Sequence, residues 1–375
     1  MSPLAATDAT QPEHRLGNNH PAVAWADPQR GALFTSWLNT LVPAYGLRVE
    51  SLHLASADAS FRRYLRVTAD TGSLIIMDAP PDKEDCRPFD QVARLMAQAG
   101  LHVPRVLAWS QELGFMLLTD LGHRTMMQAI DAASAMANLP LYLQAVDSLT
   151  LWQVASRPGV LPAYDAALLR RELDLFPHWY LQQYRGMAID APMRTTLERA
   201  FDCIIAENLA WPSVYVHRDF MPRNLMLPQT SPDDASWPPR IGVLDFQDAV
   251  YGPITYDIAC LMRDAFLSWD EEFVLEVTIR YWEQARAKGL PVGTDFGAFY
   301  RAVEWMGVQR HLTVAGIFAR LTLRDGKPRY LADTPRFITY VRATASRYRE
   351  LRPLLRLIDA MEGTREKTAF AFGRV

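Results

Sequence analysis

The chain has 375 residues, more than one hydrophobic core usually serves, so two lobes are expected. Apolar residues make up 49% and charged residues 22%, an ordinary globular composition that excludes disordered and fibrous classes. A formal charge of −3 carries no nucleic-acid or membrane-surface signature, and no run approaches the roughly 18 apolar residues of a membrane span.

Residues 1–28 are small and polar, without a basic start leading into an apolar run, and predict a flexible tail rather than a secretory signal. Leu33, Trp37 and Leu41, with Phe34 and Leu38 beside them, predict a helix over 29–42. RVESLHLA (48–55), FRRYLRVTA (61–69) and SLIIMDAP (73–80) follow as strands joined by short turns, an antiparallel meander. Phe89, Val92 and Met96 share one face of a helix ending near Gly100. RVLAW (105–109) and GFMLLTD (114–120) form a further hairpin, giving a small sheet with the 88–98 helix packed on it.

Helical periodicity then marks 140–156, 163–185, 192–209, 254–267, 271–288, 297–321 and 334–360. Two apolar strands, SVYV (213–216) and RIGVLDF (240–246), interrupt the helices and predict a short hairpin, separated by the breaker-rich QTSPDDASWPP. The expected organisation is a tail (1–28), a β-rich N-terminal lobe (29–118) and a helical C-terminal lobe (119–375), an α+β class. Cys86, Cys203 and Cys260 are odd in number and in no CxxC spacing, so neither disulfides nor zinc is expected and the cytoplasm is the natural location.

A dense polar stretch lies where the chain enters apolar surroundings: VHRDFMPRN at 216–224. It contains His217, Asp219 and Asn224 in HxDxxxxN spacing, and the next strand ends in Asp245-Phe246-Gln247. Singly, Asp and Asn suit turns. Jointly, with strands on both sides, they resemble the catalytic loop and metal segment of protein-kinase-like phosphotransferases. Transfer of a γ-phosphoryl needs a group at the attacking hydroxyl and Mg²⁺ bridging the phosphates, and hard oxygen donors suit that ion.

DFQDAVYGPITYDIACLMRDAF runs straight from the metal segment into a helix, with no activation loop, and is similar to the aminoglycoside phosphotransferase and choline kinase branch. The resemblance implies a two-lobe protein-kinase-like fold using ATP and Mg²⁺, with Asp219 catalytic and Asn224 and Asp245 on the metal. Asp257 and His217 would support the loop, although Asp257 also suits a helix N-terminus. Nucleotide contacts are implied at Ser60 in the ADAS loop and around Thr119, Asp120 and Leu121 in MLLTDLG. The branch carries a phosphate-gripping lysine on its third strand; the position here is Met77, and only four of the 39 bases are lysines. Lys83, Arg62 and Arg63 are the candidates to supply that charge.

ASADASFRRYLRV, VPRVLAWSQELGFMLLTDLG, HRDFMPRNLM and VQRHLTVAGIFARL together resemble the bacterial anomeric N-acetylmuramate/N-acetylglucosamine kinases, over most of residues 50–335. These phosphorylate the C1 hydroxyl of cell-wall amino sugars during peptidoglycan recycling. Residues 251–375 carry 19 Lys/Arg against 15 Asp/Glu, net +4, which suits a neutral or carboxylate-bearing sugar better than a polycationic antibiotic. Arg310 and His311 form a polar patch in an apolar helix, either facing the acceptor or packing helices. Two alternatives stay open: another small acceptor (aminoglycoside, choline or homoserine), or a catalytically silent nucleotide-binding scaffold.

Overall fold

Alternation decides which side of the first sheet is covered. Leu65, Val67 and Ala69 on one strand, Leu74 and Ile76 on the next, and Phe115 and Leu117 beyond them are all buried in one cluster. Strand residues two apart face the same way, so these positions make one apolar face. In the computed structural model, which describes residues 23–57, 61–228 and 240–363, that face belongs to a five-stranded antiparallel sheet. Its strands are β1 (Arg48–Ala57), β2 (Arg63–Ala69), β3 (Gly72–Asp78), β4 (Val106–Ser110) and β5 (Phe115–Thr119), in the order β1-β2-β3-β5-β4.

The helix on this face is α1 (Pro28–Tyr45), through Phe34 and Leu38. Asp27 caps it by accepting from the Gln29 N–H, and Gly46, at φ 60, ends it. The 88–98 segment is a helix as predicted, α2 (Arg87–Gln98), but it groups with the rest of the chain, not with the sheet. Its Phe89 lies 4.9 Å from the ring of Phe246, and that aromatic anchor sets its allegiance. Among the described residues, the first unit therefore comprises those of 23–86 and Arg105–Asp120, and the second Arg87–Pro104 and those of 121–363.

One buried carboxylate fastens the first unit. Asp78, 2% exposed, accepts from Arg30 Nε of α1 at 2.8 Å and from Arg63 Nη2 of β2 at 2.8 Å. The two guanidiniums also lie over the rings of Phe115 and Trp25, which cover their apolar faces.

The second unit is mainly helical: α3 (Leu139–Val154), α4 (Ala166–Leu173), α5 (Ala191–Leu209), α6 (Thr255–Met262), α7 (Glu271–Ala287), α8 (Phe296–Leu323), α9 (Thr334–Arg347) and α10 (Arg352–Glu362). α8 is the axis of this unit; every residue from Ala302 to Thr313 is buried. The predicted helix over 163–185 is instead α4 followed by a π-helical segment, Phe176–Tyr184. Pro177 lacks the N–H that a continuous helix would use there. The predicted 334–360 helix likewise breaks into α9 and α10, with Pro353 in the first turn of the second.

The predicted hairpin of 213–216 with 240–246 is not formed. β6 (Ser213–Val216) pairs with β9 (Val250–Pro253), and β7 (Leu225–Met226) pairs with β8 (Gly242–Val243). Two ribbons thus bracket the polar loop, one strand of each on either side of it. Among the described residues, no helix is long and apolar enough to cross a membrane.

Candidate active site

β6 delivers the chain into the polar loop, and α6 holds it there. The carboxylate of Asp257, buried in the first turn of α6, accepts from the backbone N–H of His217 at 2.7 Å and of Arg218 at 3.0 Å. Burial pushes the Asp257 carboxyl up to about 6, while the two N–H groups favour its ionised form.

The buried imidazole of His217 has its protonation decided by its partners. Nε2 lies 2.9 Å from the carbonyl of Leu244, which can only accept, so Nε2 carries the proton. Nδ1 accepts from the Asp219 N–H at 3.2 Å. Both bonds require the neutral ring, and burial lowers its affinity for a second proton.

Among the described residues, two non-glycine residues have positive φ, Arg218 at 78° and Asp245 at 63°, and both belong to this site. Such backbone is costly and persists only where the surroundings over-determine it. At Arg218 the left-handed turn sends two consecutive N–H groups to Asp257, and its carbonyl accepts from Arg310 Nη1 at 2.8 Å and Cys260 Sγ at 3.1 Å. At Asp245 it turns the carboxylate toward Asn224 and Gln247.

Asn224 closes the loop. Its Nδ2 donates to the Asp219 carbonyl at 2.9 Å and to Asp245 Oδ2 at 3.3 Å, while Gln247 Nε2 donates to Asp245 Oδ1 at 2.9 Å. The amide at 224 and the carboxylate at 245 are therefore neighbours, as two ligands of one ion must be. Mg²⁺ accepts oxygen donors, keeps several waters and takes one or two protein carboxylates alongside substrate phosphates. This pair fits that habit. Among the described residues no cluster of three or more His, Cys, Asp or Glu side chains could hold a metal.

Asp219 projects from the loop with its side chain 45% exposed and Oδ1 3.8 Å from Arg310 Nη2. Arg310, 6% exposed on α8, also donates to the Tyr256 hydroxyl at 2.9 Å. His311 points elsewhere: its ring stacks on Phe337 and Tyr340 of α9, Nε2 donates to the Arg263 carbonyl, and burial lowers its pKa to about 3.

The residues expected to touch nucleotide lie mostly in the first unit. Arg63 has Nε and Nη2 on Asp78 and Nη1 on the Ala24 carbonyl, so its donors are committed locally. Arg62 pairs with Glu84 at 2.9 Å. Lys83 Nζ is 3.4 Å from Asp82, both side chains more than half exposed, an ion pair of little strength. Asp120 accepts from Arg66 and Ser73, and the Thr119 N–H is bound to the Arg105 carbonyl. Leu121, which opens the second segment of the second unit, is buried. Ser60 lies outside the described residues.

Two partners of the site escape sequence reasoning. Gln247 supports Asp245 from two residues on. Glu172 of α4 receives the Arg218 guanidinium and the Tyr164 hydroxyl. A signal for Glu172 exists: it shares the buried face of α4 with Leu169 and Leu173, and a charge at a core position is a candidate for pairing.

The strand-flanked loop thus brings together a half-exposed aspartate, an amide and a second carboxylate. The chain belongs to the phosphotransferase enzyme family, which matches residues 51–292. It is 47% identical over 347 residues to the N-acetylmuramate/N-acetylglucosamine kinase of Neisseria meningitidis serogroup B, covering 92% of this chain and 100% of that one. The enzyme of the same name from Pseudomonas aeruginosa is 49% identical over 307 residues, 82% of this chain and 87% of its own. In fold the chain is similar to an ethanolamine kinase of Plasmodium vivax, with a TM-score of 0.55 at 12% identity, covering 89% and 91% of the two chains. The fold is that of the protein-kinase-like phosphotransferases.

Proposed function

We propose that the chain transfers the γ-phosphoryl group of ATP to the anomeric C1 hydroxyl of N-acetylmuramate and N-acetylglucosamine, in the cytoplasm, within cell-wall recycling. The observation that carries this reading is near-full-length similarity at 47% identity to an enzyme named for those two sugars, joined to a loop equipped for the reaction.

Asp219 would accept the proton of the attacking hydroxyl; the half-exposed position of its carboxylate in the loop supports this role. Arg310 beside it would hold that charge and meet the acceptor. Asn224 and Asp245 would hold Mg²⁺, which when bound neutralises charge on the phosphates. His217 and Asp257 keep the loop in one conformation, and positioning of this kind supplies much of the rate in phosphoryl transfer. On the nucleotide side the assignment is the Ser60 loop and the Thr119–Leu121 segment, with Lys83 the base whose charge is least committed. The net +4 of residues 251–375 suits a neutral sugar or one bearing a lactyl carboxylate.

Incubation with Mg-ATP and each sugar, followed by phosphorus NMR, tests this. A new signal coupled to the anomeric proton is expected. Transfer to choline or an aminoglycoside, with none to either sugar, would replace the acceptor assignment; ATP binding without transfer to any acceptor would leave only a nucleotide-binding scaffold.

A further inference from the structure

Beneath the loop lies a buried polar group that the chemistry above does not use. Glu172, 8% exposed on α4, accepts from the Tyr164 hydroxyl and from Gln309 Nε2 of α8 at 3.2 Å, so its carboxylate is fixed by two side chains outside the loop. Its other oxygen, Oε1, accepts from Arg218 Nη2. Gln309 also reaches Thr313 at 3.1 Å, which holds the amide in place along α8.

Arg218 is thereby held at both ends. Its backbone sits in the left-handed turn described above, and its guanidinium is drawn to α4. Burial alone would lower the pKa of this group, yet the neighbouring Tyr256, Glu172 and Asp219 raise it, so it stays charged. Arg218 directly precedes Asp219 and feels its charge. A guanidinium released there has one other carboxylate of the loop to seek, and pairing would occupy the oxygens an acceptor hydroxyl needs.

We infer that Glu172 is a positioning residue of the phosphoryl-transfer site: it captures the Arg218 guanidinium, keeps it off Asp219, and locks the left-handed turn that presents Asp219. The inference rests on the reading of Asp219 as the acceptor-activating carboxylate. It explains why a charged residue occupies the core face of α4 beside Leu169 and Leu173. It also explains how a residue with a Cβ is tolerated at φ 78, where glycine would be free of strain.

The test is a cycle on the full chain: Glu172→Gln, Arg218→Gly and the double variant, with kcat and KM for Mg-ATP at saturating sugar. Hydrogen exchange of the 217–219 amides is followed in parallel. Glu172→Gln should lower kcat at least tenfold with KM for nucleotide changed less than twofold, and speed loop exchange at least tenfold. In the Arg218→Gly background the same change should alter both by less than twofold, because no guanidinium remains to be held. Glu172→Asp, which keeps the charge, should recover part of the loss and serves if the glutamine variant does not fold. Wild-type turnover and exchange in Glu172→Gln would overturn the inference. An equal loss in the Arg218→Gly background would also overturn it, showing that Glu172 merely packs α4 on α8. The exchange measurement needs no acceptor, so it decides the role of Glu172 even if wild-type chain phosphorylates neither sugar, an outcome that instead counts against the proposed function.

Discussion

Asp257 and His217 lie 40 residues apart and meet through a 2.7 Å bond from backbone N–H to carboxylate. The next N–H, of Arg218, uses the other oxygen of the same carboxylate at 3.0 Å. A single side chain on α6 thus fixes the backbone immediately before Asp219.

Replacing Asp257 with Asn puts an NH₂ group against one of two N–H donors. Hydrogen bonds to a charged group contribute about 1.5–3 kcal/mol each in such settings, so a loss of roughly 2 kcal/mol and a drop of at least tenfold in kcat are expected. Denaturant unfolding and steady-state kinetics check both. If the fold weakens while kcat stays at the wild-type value, the loop does not depend on this grip.

The same carboxyl has a pH signature. Burial raises it to about 6 in the folded chain, as it does Asp264, whereas an unfolded aspartate titrates near 3.9. The folded state therefore binds these protons more tightly. The stability they contribute is fully present below about pH 4 and is lost as pH rises through about 6. His217 and His311, whose affinity for a proton burial lowers, act in the opposite sense over the same range, so the carboxyl contribution is read as the wild-type-minus-variant difference in unfolding free energy, which should fall across pH 4–7 for both Asp257→Asn and Asp264→Asn. A steeper fall in either variant would contradict the sign.

Asp219→Asn should leave the fold intact, because its side chain is 45% exposed, and surface changes usually shift stability by less than about 0.5 kcal/mol. Phosphoryl transfer should fall by about 10²–10⁴-fold, the range a general base supplies. Turnover at the wild-type rate would remove Asp219 from the mechanism. Asp245→Asn should instead weaken Mn²⁺ binding, read by electron paramagnetic resonance without any acceptor present.

The first unit has its own weak point in Asp78. Asp78→Asn leaves the Arg30 and Arg63 guanidiniums without their counter-charge, and breaking a buried pair in this way costs about 3–5 kcal/mol. The two arginines remain partly exposed, which pulls the expectation toward 3. Thermal unfolding should show an early loss of the sheet. An unchanged melting profile would mean that the sheet's apolar face suffices.

Gly316 on α8 is a steric position. A Cβ there would sit 2.5 Å from the backbone carbonyl of Leu175, just before the π-helical segment. Backbone cannot swing aside as a side chain can, so Gly316→Ala should cost about 1–3 kcal/mol. Wild-type stability in this variant would show that the π-helical segment yields.

Much of this was legible in the chain itself, and the reasons differ by element. The strands of the first sheet read clearly because alternation at Leu65, Val67 and Ala69 and at Leu74 and Ile76 has one meaning, an apolar face. The loop residues read clearly because spacing between polar groups is a local property. Pairing was not local: Ser213–Val216 chooses Val250–Pro253 over the nearer apolar run, and two- to four-residue strands carry too little pattern to announce partners. α8 was visible as a helix, but not which of Gln309, Arg310 and His311 faces the loop, because every side of that stretch is buried. Arg63 is one of three bases the sequence offers to the phosphates, with Lys83 and Arg62; its commitment to Asp78 appears only when β2 and β3 are registered side by side.

The bonding of His217 has a practical corollary. A ring proton sealed from solvent and bound to the Leu244 carbonyl exchanges slowly, so it should give a sharp resonance downfield of the amide envelope. That one signal would report on the health of the loop in any variant, before a nucleotide or a sugar is added to the tube.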